Sequence, residues 1–104
     1  MTHRLLVQYG RPTDPDAFDR HYRDVHTPLV HKIPGLVAFS VGRPASLDGS
    51  EAPYLVAELD FESAEAMGRA LQTPEGAATA GDVPNFATGG VSMSSFDVED
   101  LPPA

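Results

Sequence analysis

The most restrictive feature of this sequence is the alternation of side chains between residues 54 and 61. Every second residue is apolar, and the intervening positions are mixed. The apolar set is Leu55, Ala57, Leu59 and Phe61, and the mixed set is Tyr54, Val56, Glu58 and Asp60. Strict alternation predicts a strand with one face against a core and one face of mixed character. We therefore expect a sheet with one core face.

The remaining elements can be placed around this strand. Short β-rich runs predict three more strands, at residues 3–9, 36–42 and 91–98. Asp14 before Pro15 predicts the start of a first helix, Ser63 caps a second, and Thr73 restarts it as far as about Gly81. Residues 82–90 are expected to form a loop. The order β, α, β, β, α, β predicts an α+β, ferredoxin-like fold, in which a four-stranded antiparallel sheet carries its helices on one face.

Composition limits the size and the partners of this fold. With 104 residues, the chain can form one modest core, and we assign residues 1–98 to a single domain and 99–104 to an acidic, Pro-ended tail. The formal charge of −8 argues against nucleic acid and against anionic membrane surfaces. The apolar run at the N-terminus is too short for a signal peptide or a membrane span, so we expect a cytoplasmic protein.

The second face of the sheet is too apolar to be left exposed to solvent. Val56, with either Leu6 or Val7 and one half of the run at residues 36–41, would form an apolar patch. A patch of this kind usually marks an interface. We expect two such sheets to pack face to face in a homodimer.

Three of the four histidines lie between residues 18 and 35. At about 100° per residue, Phe18, Tyr22 and Val25 form a buried stripe, with His21 and His26 beyond its two edges. Pro28 is expected to end the helix, because it lacks an N–H and disfavours helical geometry at the preceding residue. The two histidines are then roughly 140° apart. We therefore expect no metal site from the H-x-x-D-x-H spacing of His21, Asp24 and His26.

The same segment carries a family resemblance. The string YGRPTDPDAFDRHYRDVHTPLVHKIPGL, with its H-x-P-L motif, resembles the EthD family of dimeric α+β-barrel proteins, and so does DVPNFATGGV before the last strand. The resemblance implies a barrel of two subunits and a cleft for a small apolar or aromatic ligand. Related proteins include isomerases, dehydratases, decarboxylases and cofactor-independent monooxygenases. EthD proteins are also associated with ether-degrading oxygenase systems, which implies an accessory role beside a partner oxygenase.

His26 is the candidate catalytic residue. It matches the histidine of the family motif, and imidazole exchanges protons near neutral pH. An alternative is that its ring only satisfies backbone groups at the helix end. The candidate substrate-binding residues, each of which also has a purely structural interpretation, are Tyr9, Tyr22, His21, Asn85 and Phe86.

Two hypotheses of function remain open. In the first, His26 moves a proton on an apolar carbonyl, phenolic or polyketide-like compound, as an isomerase, dehydratase, decarboxylase or cofactor-free oxidoreductase. In the second, the chain is a non-catalytic binding or carrier protein, or an accessory protein. We expect no cofactor, because the chain has no cysteine, no dinucleotide-binding or phosphate-binding glycine motif and no distinctive haem ligand.

Overall fold

The computed structural model describes residues 1–103. It contains four strands and four α-helices, with a π-helical and a 3₁₀ turn between helical segments. In chain order these are β1 (His3–Tyr9), α1 (Pro15–His21), a π segment (Tyr22–His26), α2 (Thr27–His31), β2 (Ala38–Gly42), β3 (Leu55–Phe61), α3 (Ala64–Leu71), α4 (Pro74–Asp82), a 3₁₀ turn (Val83–Asn85) and β4 (Val91–Asp97). Within the described part of the chain, no helix is both long enough and apolar enough to cross a bilayer.

The sheet confirms the fold predicted from the sequence. Its strand order is β2-β3-β1-β4, and every neighbouring pair is antiparallel. The predicted core face of β3 is buried, with residue exposures between 0% and 5%. Because directly paired residues share a face, Val7 joins Ala57 on the helix side, while Leu6 joins Glu58 on the outer side.

The predicted helix starts are also confirmed. The Asp14 carboxylate accepts a hydrogen bond from the Ala17 N–H at 3.1 Å, and the Ser63 hydroxyl accepts one from Ala66 at 3.0 Å. Thr73 caps α4 in the same way, through the Gly76 N–H at 3.0 Å. Each cap satisfies an N–H that the first turn of a helix leaves unpaired.

The prediction that Pro28 ends the first helix is wrong. The chain remains helical to His31, because the segment Tyr22–His26 widens into a π-helix and α2 begins at Thr27. In a regular α-helix, the Pro28 ring would meet the carbonyl of Asp24 four residues earlier. In the wider turn, the Thr27 N–H bonds instead to the Tyr22 carbonyl, and the Thr27 hydroxyl donates to the same oxygen at 2.9 Å. The proline is thereby accommodated in the first turn of α2, whose N–H groups need no partner within the helix.

The π segment changes which side chains face the core. Val25, predicted to be buried, is 43% exposed, whereas Tyr22 and His26 are 7% and 3% exposed. The buried stripe therefore runs through Phe18, Tyr22 and His26. The angle of roughly 140° between the two histidines, which assumed α-helical turns, does not apply, because an i→i+5 turn brings residues five apart to one face.

The outer face of the sheet combines apolar and paired charged groups. Leu6 and Val56 lie on this face, and so does Phe96, which is 44% exposed. Of the two residues that the sequence offered for the outer patch, Leu6 is therefore on it and Val7 is in the core. Arg4 bonds to Asp60 at 2.8 Å on the adjacent strand. The Cα framework measures 17 Å along its shortest axis, which fits one sheet and one helical layer. The homodimer stays a prediction.

Two boundaries differ from the sequence prediction by more than one residue. The strand expected at residues 36–42 begins at Ala38, and part of the loop expected at residues 82–90 is helical. The tail has no regular secondary structure at residues 98–103, and its last residue, Ala104, lies outside the described residues.

Candidate functional site

A buried carboxylate joins two of the predicted site histidines. Asp82, which is 7% exposed, accepts hydrogen bonds from His21 Nε2 at 2.8 Å and from His26 Nδ1 at 3.0 Å, one on each carboxylate oxygen. The Asn85 amide donates to the oxygen shared with His21, also at 3.0 Å. We refer to His21, Asp82 and His26 as the His-Asp-His cluster.

The cluster depends on two irregular turns. His21 ends α1 and His26 ends the π segment, so the wide turn lets both rings reach a single partner. Asp82 is the last residue of α4, and the 3₁₀ turn that follows brings Asn85 back to it. A carboxylate at a helix C-terminus meets the negative end of the helix dipole. The three donors compensate for this unfavourable position.

The pKa values of the cluster define its protonation. Burial alone would raise the pKa of Asp82, but hydrogen bonds from Asn85, His21 and His26 outweigh burial and hold that pKa below its ordinary value. Burial lowers the pKa of His26, although its bond to Asp82 opposes the shift. At neutral pH, Asp82 is therefore ionised and His26 is neutral.

This protonation determines the tautomers. An ionised carboxylate only accepts hydrogen bonds, so His26 donates from Nδ1 and His21 donates from Nε2. In a neutral ring, the second nitrogen then carries a free lone pair, which is Nε2 in His26 and Nδ1 in His21. Each histidine can take up a proton at that nitrogen while Asp82 stabilises the resulting charge.

Aromatic rings surround the cluster. Phe86 lies against both histidines, with ring centroids 5.3 Å from His21 and 4.7 Å from His26. Tyr22 lies 5.1 Å from the His26 ring and 5.8 Å from the Tyr9 ring. Rings at these distances exclude water and lower the local dielectric constant, which strengthens the hydrogen bonds to Asp82.

The two tyrosines remain protonated. Burial, together with the charge of Asp82, raises the pKa of Tyr9 to about 12, and burial raises the pKa of Tyr22 further. The Tyr22 hydroxyl is completely buried, and within residues 1–103 it makes no well-aligned hydrogen bond, although the Tyr9 phenol lies beside it. A buried hydroxyl without a partner is rare and is usually satisfied by water or a ligand. Both phenols are suited to hydrogen bonding and not to accepting a substrate proton.

Two clefts flank the helical segment that carries the histidines. The first, which we call the Asn85 cleft, has a volume of about 230 Å³. It is lined by Thr13, Asp14, Ala17, Phe18, His21, Asn85, Phe86 and Thr88. The second, which we call the β2 cleft, has about 530 Å³ between this segment and β2. Tyr22 lines the β2 cleft, but His26 lines neither of them.

The sequence predicts that His21 and His26 diverge and that Asp24 lies on the outer side, and only the second prediction is confirmed. His21 and His26 do converge, but they meet Asp82, while Asp24 points to the surface and bonds to Arg23 at 3.0 Å. Among residues 1–103, no three histidine, cysteine or acidic side chains are placed to hold a metal ion. The convergence therefore makes a hydrogen-bonded centre.

The structure thus brings all six sequence-predicted site residues into one region of the molecule. His26, Tyr9 and Tyr22 lie in its buried part, while His21, Asn85 and Phe86 line the Asn85 cleft. The sequence did not indicate Asp82 as a site residue, because residues 82–90 were expected to form a loop. A signal was present: an acidic residue at the end of a helix opposes the helix dipole and needs a local reason.

Comparison with known proteins identifies the family. A 102-residue alignment, covering 97% of this chain and 99% of the relative, gives 45% identity to an uncharacterized 11.0 kDa protein of the thcB-thcC intergenic region in Rhodococcus erythropolis. The crystal structure of an EthD family protein from Bacillus halodurans C-125 matches with a TM-score of 0.88 at 34% identity, over 95% of this chain and 100% of that chain. SnoaB, a cofactor-independent oxygenase from Streptomyces nogalater, shares the fold at 16% identity, with a TM-score of 0.71 over 99% of this chain and 98% of that chain. Since the EthD domain profile also matches residues 10–90, this chain belongs to the EthD family.

Proposed function

We propose that this protein transfers a proton on a small apolar carbonyl or phenolic compound without a cofactor, using the His-Asp-His cluster. The observation that carries the proposal is the buried carboxylate that binds two histidines at 2.8 and 3.0 Å. Asp82 and His26 are buried and have shifted pKa values, and they lie directly behind a histidine that lines a cleft, an arrangement that is frequent in active sites. The similarity of fold to a cofactor-independent oxygenase agrees with this class of chemistry but does not select the reaction.

In the proposed mechanism, His21 is the group that meets the ligand. Its side chain is 28% exposed and lines the Asn85 cleft, whereas the His26 side chain is 4% exposed. A proton on an acidic carbon or a phenol passes to His21 Nδ1, and the imidazolium that forms is stabilised by Asp82. His26 and Asn85 hold the carboxylate in place. Return of the proton to another atom of the ligand gives isomerisation, and its return to a leaving hydroxyl gives dehydration.

The role of His26 is therefore indirect in this mechanism. Its match to the family motif predicts a catalytic residue, whereas its burial and its bond to Asp82 favour a positioning role through that carboxylate. It retains a free Nε2 lone pair and neutral charge, so it can also accept a proton if a ligand displaces the ring of Phe86 or Tyr22. Both roles predict that loss of His26 lowers the rate.

Proton exchange on a carbonyl probe tests the proposal. The loss of the α-protons of 2-indanone in D₂O is followed by proton NMR with wild-type protein and with the variants His21→Asn and His26→Asn. General acid–base catalysis contributes about 10² to 10⁴ in rate, so each variant should lose at least about 10² of the wild-type acceleration. Arg20→Gln, which changes an exposed residue outside the cluster and outside both clefts, is the control. Exchange by wild-type protein no faster than by the double variant His21→Asn/His26→Asn would refute the proposal.

A carrier function is the second candidate. It is favoured by one observation: His26 is buried and lines neither cleft, while the larger β2 cleft has mainly apolar walls. In this case, native mass spectrometry should find a retained apolar metabolite. Wild-type protein should then bind ligand without accelerating proton exchange. An accessory role beside a partner oxygenase would give the same exchange result.

For assembly, we propose a homodimer formed through the outer sheet face. Leu6, Val56 and Phe96 would be covered by the same face of a second copy, which removes apolar area from water. The Arg4 bonds to Asp60 and Glu58 would supply paired charges within the closed barrel.

A further inference from the structure

The β2 cleft differs in charge from the rest of the molecule. The chain carries 15 acidic residues and seven lysines and arginines. Among the residues that line the cleft this ratio is reversed, because two arginines, Arg23 and Arg43, occur with one carboxylate, Asp19. Arg23 is bonded to Asp24 just outside the cleft, so Arg43 is the arginine best placed to meet a ligand. An arginine at the rim of a cleft in an otherwise acidic protein favours an anionic ligand.

Arg43 is oriented at the rim by one ion pair and one aromatic contact. Its Nη2 donates to Asp19 at 2.8 Å, and its guanidinium lies 4.7 Å from the centroid of the Tyr54 ring. The Tyr54 hydroxyl donates to the same Asp19 oxygen at 3.0 Å, which fixes the carboxylate as well. A guanidinium has five N–H donors, and this arrangement uses one of them in a hydrogen bond within the protein. The others are free to bind a planar anion.

Much of the wall of the cleft is apolar. Tyr22, Phe39, Val41 and Leu55 line it, and the His31 ring meets Phe39 edge-on at 5.7 Å. A volume of about 530 Å³ falls within the range of small-molecule sites, which usually combine apolar walls with a few fixed polar groups. A single pre-positioned arginine is the residue best suited to recognise a carboxylate.

We propose that the β2 cleft binds an aromatic or branched apolar carboxylate, with the apolar body against Phe39, Val41 and Leu55 and the carboxylate on Arg43. Arg23, whose side chain is 70% exposed and bonded to Asp24, lies at the same rim without adding a net charge. This recognition does not require the His-Asp-His cluster to be catalytic. It therefore goes beyond the proposed function and is tested separately.

The test compares two probes of the same shape. Trans-cinnamate is anionic and cinnamamide is neutral, and both are titrated at pH 7.5 into ¹⁵N-labelled protein. Cinnamate should bind about tenfold more tightly than cinnamamide, because the charge-assisted bond is the stronger one. The backbone shifts should concentrate at Phe39, Val41 and Leu55.

Matched variants separate charge from folding. Arg43→Gln should weaken cinnamate binding about tenfold and leave cinnamamide unchanged, while Arg43→Lys should retain part of the preference. Arg20→Gln, an exposed arginine outside the cleft, is the control. Val41→Glu provides a second approach, because this half-exposed residue can take a carboxylate that repels the anion, and Val37→Glu is its control outside the cleft.

Three results would overturn the proposal. The first is equal affinity for the two probes or no cinnamate binding at millimolar concentration. The second is a normal cinnamate affinity in both Arg43→Gln and Val41→Glu. The third is a shift pattern centred on His21 and Phe86 in the Asn85 cleft. Since His21→Asn should leave cinnamate binding unchanged, failure of this proposal and failure of the proposed function can be distinguished.

Discussion

Replacing Asp82 with asparagine should destabilise the protein and change the tautomer of His26. Asp82 accepts three hydrogen bonds, from His21, His26 and Asn85, at 2.8, 3.0 and 3.0 Å. Bonds to a charged group contribute about 1.5–3 kcal/mol each, against about 1 kcal/mol for neutral bonds. An asparagine oxygen could still accept the bonds from His21 and Asn85, at neutral strength. Its amide would face His26 Nδ1, which must then become the acceptor.

The magnitude follows from these changes. Two bonds lose charge assistance and the third is reversed, while removal of a buried charge from a helix C-terminus recovers part of the loss. The net cost should be about 2 kcal/mol of the free energy of unfolding. For a domain of this size, 1 kcal/mol corresponds to a shift of about 4–8 °C in Tm, so the variant should melt about 10 °C lower.

The assay combines urea unfolding at pH 7.5 with ¹⁵N NMR of the histidine rings. Wild-type His26 should be the neutral Nδ1–H tautomer, and Asp82→Asn should convert it to the Nε2–H tautomer. Asp24→Asn is the control, because that carboxylate is 61% exposed and its removal should cost less than about 0.5 kcal/mol. A wild-type Nε2–H tautomer, or an Asp82→Asn protein as stable as Asp24→Asn, would refute the reasoning.

Three further predictions concern pH, backbone packing and assembly. Burial holds the pKa of His26 below its ordinary 6.5, so below that pH the unfolded chain binds more protons than the folded chain. The urea midpoint of the wild-type protein should therefore fall when the pH is lowered from 7.5 to 5.5, and the midpoint of His26→Asn should fall less. An unchanged wild-type midpoint would contradict this. Gly89→Ala should lower the free energy of unfolding in urea by about 3 kcal/mol, because the added Cβ would overlap the Arg11 carbonyl. A loss below about 1 kcal/mol would show that the backbone can move to make room. Val56→Glu should convert a dimer into a monomer in sedimentation at micromolar concentration, with Val37→Glu as the control, and a monomeric wild type would contradict the paired sheets.

The sequence was sufficient for the fold because its signals are local and repetitive. The alternation in β3 placed four residues on the core side without ambiguity, and the caps at Asp14, Ser63 and Thr73 fixed where helices begin. A short polar side chain before a helix has few other roles, so the prediction is robust.

The centre of the site could not be predicted because it depends on a departure from ideal geometry. Counting residues at the α-helical angle separated His21 from His26, and a single wide turn reverses that conclusion. Their common partner, Asp82, lies 56 residues from His26 along the chain, in a segment assigned to a loop. Contacts at such separation follow from tertiary packing, which a local pattern does not encode. The sequence identifies Tyr9 and Tyr22 as separate candidates, and only the fold places their rings side by side.

The π segment also links the length of the chain to the chemistry of the site. A π turn is in effect an α-helix with one residue inserted. Deleting one residue between positions 22 and 26 would let the helix close into regular α-helical turns, and the two histidines would then be four residues apart, a spacing that an α-helix also places on one face. The histidine pair could still converge on Asp82, but the Pro28 ring would again meet the carbonyl four residues earlier. Among related chains, a spacing of five residues between the two histidines should therefore occur together with the proline, and a spacing of four should occur only where that proline is absent.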